Sequence, residues 1–588
     1  MKSILKYLSK KEWTMIVAVV VLTVAQVWLN LRLPEYMGGL TTVISTPGSQ
    51  MGDVYWYGGR MVACAVGSLV MAIPIGLLSS LVGASFSQRI RSLQYNKVNS
   101  FSMNEINKFS IASLITRSTN DVTQVQLVVT IGLQLIIYAP MLAVWAVIRI
   151  AMNGNSMDWT IATGVAVLSL ALIFSVLVMM VIPKFRRMQT LTDNINKVAR
   201  DNLTGLPVIR AYNAEDYQET KFERANEDLT GTQLYTTHAL AVMMPLVTII
   251  ISLLSVAIYW IAAILINNAD PAEALPLISN MIVFSSYAMQ VMMGFMMIMM
   301  LFIFLPRAQV AAKRINEVIN TEPSIKDGAM NDSDNSLKGE VEFRNVGFKY
   351  PGAADYVLKD VSFSVKQGET IAFIGSTGSG KSTLINLLPR FYDATEGTVL
   401  LDGVDVREYK LESLYNKIGY IPQKSVLFTG TVASNVAFGD NGSEKATEDQ
   451  IRNAVRIAQG ADFVEKMDDA YDSEIAHGGT NLSGGQKQRL SIARAVCRAP
   501  EVYIFDDSFS ALDYKTDRAL RTALKKETRG ITSMIVAQRI GTIMDADKIV
   551  VLDEGCVVGV GKHKELLRTC GVYKEIAMSQ LSEEELAI

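Results

Sequence analysis

Cysteine and histidine are almost absent from this chain, with 4 and 3 of them among 588 residues. The cysteines (Cys64, Cys497, Cys556, Cys570) show no CxxC spacing, so neither a disulfide framework nor a thiol-redox motif is indicated. They are expected to be reduced and structural. The histidines are scattered, which leaves no metal-ligand pattern. Positive charge is missing from one long stretch, since no Lys or Arg lies between Ala225 and Pro306. A formal net charge of −2 gives no basic excess that would point to nucleic acid as a partner. A signal peptide is not indicated either. The first apolar run follows lysines, but it is too long, lacks a small-residue cleavage pattern and is followed by five more runs.

What is present is apolar. Hydrophobic residues make up 50% of the chain, and the mean hydropathy is +0.24. They concentrate in the first 310 positions, in stretches at about 13–33, 57–84, 122–148, 159–182, 239–266 and 277–304. Each approaches or exceeds the roughly 20 residues that a helix needs to cross a bilayer. No acidic or basic ladder inside them implies an ion pathway. Arg32, Arg60 and Arg149 sit near span ends, where long side chains are expected to snorkel to the interface.

Charge outside the spans predicts their orientation, because Lys and Arg resist translocation. Lys2, Lys6, Lys10 and Lys11 precede the first span, with Ile4, Leu5 and Leu8 among them as on an amphipathic surface helix. Arg89, Arg91, Lys97, Lys108 and Arg117 follow the second. Lys184, Arg186, Arg187, Lys197, Arg200, Arg210, Lys221 and Arg224 follow the fourth, and Arg307, Lys313 and Arg314 the sixth. Both termini are therefore expected in the cytosol. Residues 1–320 carry a net charge of +6 and the remainder −8, a basic membrane half and an acidic soluble half. The sixth span holds Met281, Met289, Met292, Met293, Met296, Met297, Met299 and Met300. Helical spacing puts Met289, Met292 or Met293, Met296 and Met300 on one face, adaptable enough for varied apolar cargo or simply for packing.

A polar stretch, Thr321 to Ser336, separates the halves, and an alternating strand pattern resumes at Val341–Tyr350. Farther on, the apolar run Thr370–Ile374 leads into Gly375-Ser376-Thr377-Gly378-Ser379-Gly380-Lys381-Ser382, and Thr383 opens a helical run. Strand, glycine loop and helix in that order make a phosphate-binding P-loop. Backbone N–H groups face the phosphates, Lys381 reaches the β/γ oxygens, and Ser382 can ligate Mg²⁺.

About a hundred residues later comes Leu482-Ser483-Gly484-Gly485-Gln486. Together these two motifs resemble the ATP-binding cassette (ABC) family, and the layout resembles a half-transporter of its exporter fold. That resemblance implies a six-helix transmembrane domain over 1–320, a linker over 321–340, an α/β P-loop cassette over 341–580 and an acidic tail over 581–588. It implies ATP and Mg²⁺ as cofactors. Tyr350 matches the aromatic that stacks on adenine. Gln423 matches the Q-loop residue that meets Mg²⁺ or the attacking water, and Asp506 the Walker B aspartate that holds Mg²⁺. Ser510-Ala-Leu-Asp513 matches the D-loop. Ser483, Gly484, Gly485 and Gln486 would face the γ-phosphate held by an opposite subunit. Ser113–Asp121 and Asn202–Glu215 look like the intracellular segments that carry coupling helices. Before the signature, Ser473–Gly479 has His477 where a second glutamate is expected.

Two positions depart from the family at its catalytic centre. Asp507 stands where a glutamate normally orients the attacking water, and Gln538 replaces the switch histidine. Aspartate is one methylene shorter, and a glutamine amide can hydrogen-bond but not titrate. The pair resembles the degenerate site of a heterodimeric bacterial multidrug exporter. The expected function is thus a half-subunit moving amphipathic or hydrophobic compounds out of the cytosol across a bacterial plasma membrane. Its expected partner is a second half-transporter that supplies the strong site. An importer built on the exporter fold, a slowly hydrolysing homodimer and a chiefly regulatory half are the alternatives.

Overall fold

In a computed structural model, the protein is described over residues 2–46, 48–153, 157–269, 271–331, 337–442 and 444–581. Residues 332–336 of the expected linker and 582–588 of the acidic tail lie outside these. The chain forms two compact units, Met1–Asn99 with Ala112–Thr321, and Ser100–Ile111 with Glu322–Ile588.

The first unit is helical. Its long helices run Lys10–Ser45, Met51–Asn99, Asn120–Asn153, Met157–Ala211, Glu215–Asn267 and Pro271–Asn320. Six segments among the described residues are long and apolar enough to cross a membrane, as the hydropathy of the sequence predicts. At about 1.5 Å per residue, the helices of 49 to 55 residues extend well beyond a ~30 Å hydrocarbon layer. The first begins with a capping box, in which Ser9 and Glu12 satisfy each other's backbone. Buried Glu12 also accepts from Ser85 and pairs with Arg89, which fastens this helix to the second.

Prolines interrupt several of these helices, and Pro34 shows how the freed groups are answered. It has no N–H to donate to the carbonyl one turn earlier, that of Asn30, and its ring opens the local ladder. Gln290 Nε2 reaches the Asn30 carbonyl at 3.5 Å, and the Tyr287 hydroxyl donates to that of Leu31 at 3.0 Å. Both come from the last long helix, so the sites that the proline opens become interhelical bonds.

Arg32 and Arg149, expected near the interface, share a carboxylate partner. Arg32 Nη1 lies 2.6 Å from Glu35 Oε2, and Arg149 Nη1 lies 2.8 Å from Glu35 Oε1. That carboxylate stands one turn along the first helix from Arg32 and neutralises one of the two charges. Arg60 instead lies over the Trp56 ring, 3.5 Å from its centroid. The methionines divide as well. Met292 and Met299 are buried in the helical core, while Met289, Met293 and Met300 are exposed at helical spacing.

The second unit is α/β. A six-stranded sheet runs in the order Cys556–Gly561, Lys548–Asp553, Thr370–Gly375, Thr532–Val536, Val502–Asp506 and Ile418–Ile421. All neighbours are parallel except the first pair. A four-stranded antiparallel sheet, led by Val341–Phe348, packs over it around Phe343, Phe363 and Phe373. The central strands are buried along nearly their full length, as expected for parallel strands covered on both faces. A second core, including Val432, Val455, Leu490 and Ile492, belongs to helices Val432–Val436, Glu448–Ile457 and Gly484–Cys497.

Residues 100–111 belong to this second unit, although they stand between the second and third long helices in sequence. A capping box of Ser102 and Glu105 starts a helix at Met103–Phe109, and Ser110, at φ 60°, ends it. The segment 113–121, which resembles a coupling-helix segment, belongs to the helical unit. Residues 202–211 continue the Met157–Ala211 helix, with Leu203 and Val208 exposed, as is Tyr212 just beyond its end.

Candidate functional site

Three neighbouring parallel strands end side by side. Phe373 is paired with Val536 and Val536 with Asp506, so the loops leaving these strands share one edge of the sheet. That edge is where open α/β sheets bind ligands. The first loop is the P-loop. Gly375, Gly378 and Gly380 have φ of 158°, 86° and 94°, and the latter two lie in the left-handed region that favours glycine. A Cβ on Gly375 would come within 2.0 Å of the Leu552 carbonyl oxygen, and one on Gly380 within 2.8 Å of Leu358. Gly378 has open space around it. The loop therefore presents exposed Ser376, Thr377 and Gly378 beside the buried Ser379 and Gly380, a concave strip of backbone suited to phosphate oxygens.

Lys381 opens the helix Lys381–Ile385, whose first N–H groups have no intrahelical acceptor. Its ammonium donates to the carbonyls of Gly375 (2.9 Å) and Ser376 (2.7 Å). Burial pushes its pKa down, although Asp507 and Asp506 act against this. The Ser382 hydroxyl donates to Asp506 Oδ1 at 2.7 Å, so the two groups expected to share Mg²⁺ are already adjacent. The Asp506 carboxyl is pushed above the usual carboxylate range by burial, with Asp507 adding to the shift.

Asp507 is buried and held at φ 47° by its N–H, which donates to the Val536 carbonyl at 3.0 Å. Its Oδ2 accepts from Gln538 Nε2 at 2.9 Å and from Gln423 Nε2 at 3.3 Å. Burial raises its pKa, and the Gln423 and Ser510 hydrogen bonds oppose the rise. Gln423, expected near the metal, thus bonds to Asp507 rather than to Asp506. The three departures and neighbours named from the sequence form one cluster.

Tyr350 follows the strand Val341–Phe348, and its hydroxyl shares a hydrogen bond with Thr383 at 3.0 Å. The Tyr392 ring stands edge-on to it at 5.3 Å, and Asn107 of the short helix donates to the Tyr392 hydroxyl at 3.2 Å. Ser483 lies elsewhere on the unit, as N-cap of the helix Gly484–Cys497. It is exposed, and its hydrogen bonds run to Gln486 in a capping box. Gly484 is open, and Gly485 meets only ordinary contacts. Asp513 caps the next helix by accepting from Thr516 N–H. His477 sits exposed in a short 3₁₀ turn.

Gln580 was not legible in the sequence. Its Nε2 donates to the Gln538 carbonyl at 2.8 Å, and its Oε1 accepts from Ile540 N–H at 2.8 Å. Gln580 thus clamps the segment that carries Gln538. Only the fold brings together residues 42 positions apart.

Six membrane-length helices joined to a P-loop cassette define an ATP-driven membrane transport subunit. Residues 358–510 match the family described as "ABC transporter", and residues 16–296 match "ABC transporter transmembrane region". The chain belongs to the ABC transporter family and is an exporter-type half-transporter and multi-pass membrane protein. As such it binds ATP and couples its hydrolysis to transport. It is 39% identical over 528 residues, 89% of this chain and 87% of the relative, to an uncharacterized ABC transporter ATP-binding protein of Mycobacterium tuberculosis. It is 33% identical over 467 residues (79% and 75%) to the ATP-dependent lipid A-core flippase of Pseudomonas fluorescens. A solved bacterial Atm1-family ABC exporter with ATP bound shares the fold, with TM-score 0.81, 23% identity and coverage of 97% and 98%.

Proposed function

We propose that this chain is the weak-site subunit of a heterodimeric exporter of amphipathic or hydrophobic compounds in a bacterial plasma membrane, with both termini cytosolic. We divide it into a membrane domain over 1–320, a linker over 321–340 and a cassette over 341–580. The carrying observation is the Asp507 carboxylate, one methylene short and engaged by two amides through a single oxygen. A group so placed is poorly suited to polarise an attacking water, and among the described residues no imidazole stands beside it.

ATP, when bound, supplies the phosphoryl group for transfer to water. Ser376 to Thr383 cradle its phosphates, Tyr350 packs the base, and Ser382 with Asp506 holds Mg²⁺. The intact Ser483–Gln486 completes the partner's site, where hydrolysis resets the cassettes. Phosphoryl transfer is mostly positioning and charge stabilisation, so a signature that only presents donors can serve a site whose glutamate lies in another chain. Native mass spectrometry of the tagged chain purified from its host tests this. An equimolar second half-transporter bearing glutamate and histidine at the matching positions supports the reading, and a clean homodimer overturns it.

The raised pKa of Asp506 has a sign. Its folded value lies above the unfolded one, so ionising it costs stability as pH rises through the folded value. Mg²⁺ needs the ionised form. Its affinity for the ATP-loaded protein should therefore fall as pH drops through that value, by about tenfold per pH unit, before ordinary carboxylates titrate. Mn²⁺ binding followed by electron paramagnetic resonance reads this. An Asp506→Asn protein should show weaker affinity and lose this component of the pH profile, keeping only the part that titration of the ATP γ-phosphate contributes.

A further inference from the structure

Two guanidiniums face one carboxylate inside the helical unit. Arg32 binds Glu35 through Oε2 and Arg149 through Oε1, and the Tyr287 hydroxyl lies 3.2 Å from that Oε1. Among the described residues Glu35 is the one carboxylate within ion-pair distance of either arginine, so the three residues carry one positive charge in excess. Uncompensated charge within a membrane segment is costly, and ionisable residues there mark binding sites more often than they add stability. Within the cluster, Arg32 Nε is itself buried without a partner. The arginine side chains keep 35% and 21% of their surface exposed, enough for a headgroup to reach them. Trp28 lies 5.3 Å from the Arg32 guanidinium and offers an apolar wall beside it.

We propose that Arg32 and Arg149 form a subsite for the anionic headgroup, carboxylate or phosphate, of an amphiphile, with Glu35 as the resident counter-ion that the incoming anion displaces. Guanidinium forks suit such oxyanions, and the amphiphile's chain stays in the apolar surroundings. Tyr287 and the Pro34 break fix the backbone that carries Arg32 and Glu35, so the two arginines converge before a ligand arrives. This rests on the reading of the protein as a carrier of amphiphiles and narrows the cargo to anionic ones.

The test uses the full chain with its copurifying partner, in phosphatidylcholine nanodiscs and without ATP, so that the asymmetry of the cassettes does not enter. Oleate, lysophosphatidate, oleylamine and oleyl alcohol are the probes. The two anions should bind about tenfold more tightly than the amine and the alcohol, the worth of one charge-assisted hydrogen bond. Arg149→Gln should abolish that preference, whereas Glu35→Gln should raise anion affinity about tenfold by removing the competing carboxylate. Misfolding cannot produce a gain, so the second variant controls for damage. Phosphatidylglycerol added to the disc should weaken oleate binding if bilayer lipid is the natural occupant, and leave it unchanged if free amphiphile is; either supports an anion subsite. Equal binding of all charged and neutral probes, or loss of binding in both variants alike, would overturn it. Failure of every probe to bind would instead count against the amphiphile reading itself.

Discussion

Asp507→Glu combined with Gln538→His is expected to raise hydrolysis at this chain's own site by about a hundredfold, the cost associated with a misplacement of ~1 Å. The backbone at residue 507 is pinned by the bond to the Val536 carbonyl and sits at φ 47°. The side chain cannot recover reach by moving its Cα, so one added methylene translates directly into a carboxylate nearer the phosphate edge. Histidine at 538 also removes the amide that now donates to Oδ2, freeing that oxygen for water. The measurement is phosphate release from the assembled transporter with the partner's catalytic carboxylate neutralised, so that only this site is read. Rates unchanged by the double replacement would sink the degenerate-site account. Either single change should give less than the pair, because the carboxylate and its amide partner act as a unit.

The second large effect is expected at Ser483. Ser483→Ala removes a hydroxyl and an N-cap from the helix Gly484–Cys497, both of which would face the phosphate in the partner's site. Loss of one preorganised donor to a developing anion typically lowers turnover by about 10²–10³-fold. Steady-state hydrolysis by the assembled transporter should fall by that factor, while ATP binding to this chain's P-loop stays intact. Lys381→Met should do the opposite, impairing binding here and leaving much of the turnover. If the two variants reverse these phenotypes, the strong site is in this chain. Ser483→Asn, which restores a capping side chain, separates a loss of helix stability from a loss of the phosphate contact.

The spans and the cassette were legible because both are written in local patterns. Apolar runs of bilayer length need no tertiary information, and strand, glycine loop and helix follow one another within 20 residues. The clustering of Asp507, Gln538 and Gln423 followed from the motifs, but their mutual bonding did not. The pairing of Gln423 with Asp507 rather than Asp506 depends on a backbone held in the left-handed region, which composition does not announce. The carboxylate partner of the arginines was not legible, because position near a span end says nothing of a partner on another helix. Arg149 meets Glu35 across 114 positions, and the meeting depends on a helix opened at Pro34. The short helix at Met103–Phe109 could have been found, since Ser102-x-x-Glu105 is a readable capping box.

The line from Asn107 through Tyr392 and Tyr350 to Thr383 is built of side chains alone, and its first step spans 285 positions of sequence. No backbone ladder carries it, so each member answers only to the side chain beside it. A lineage that loses the tyrosine at 350 loses the hydroxyl pair with Thr383, while the one at 392 keeps its packing on Phe348 and its bond to Asn107. Inheritance should therefore couple these sites in neighbouring pairs, 107 with 392 and 350 with 383, however freely the surrounding helices drift.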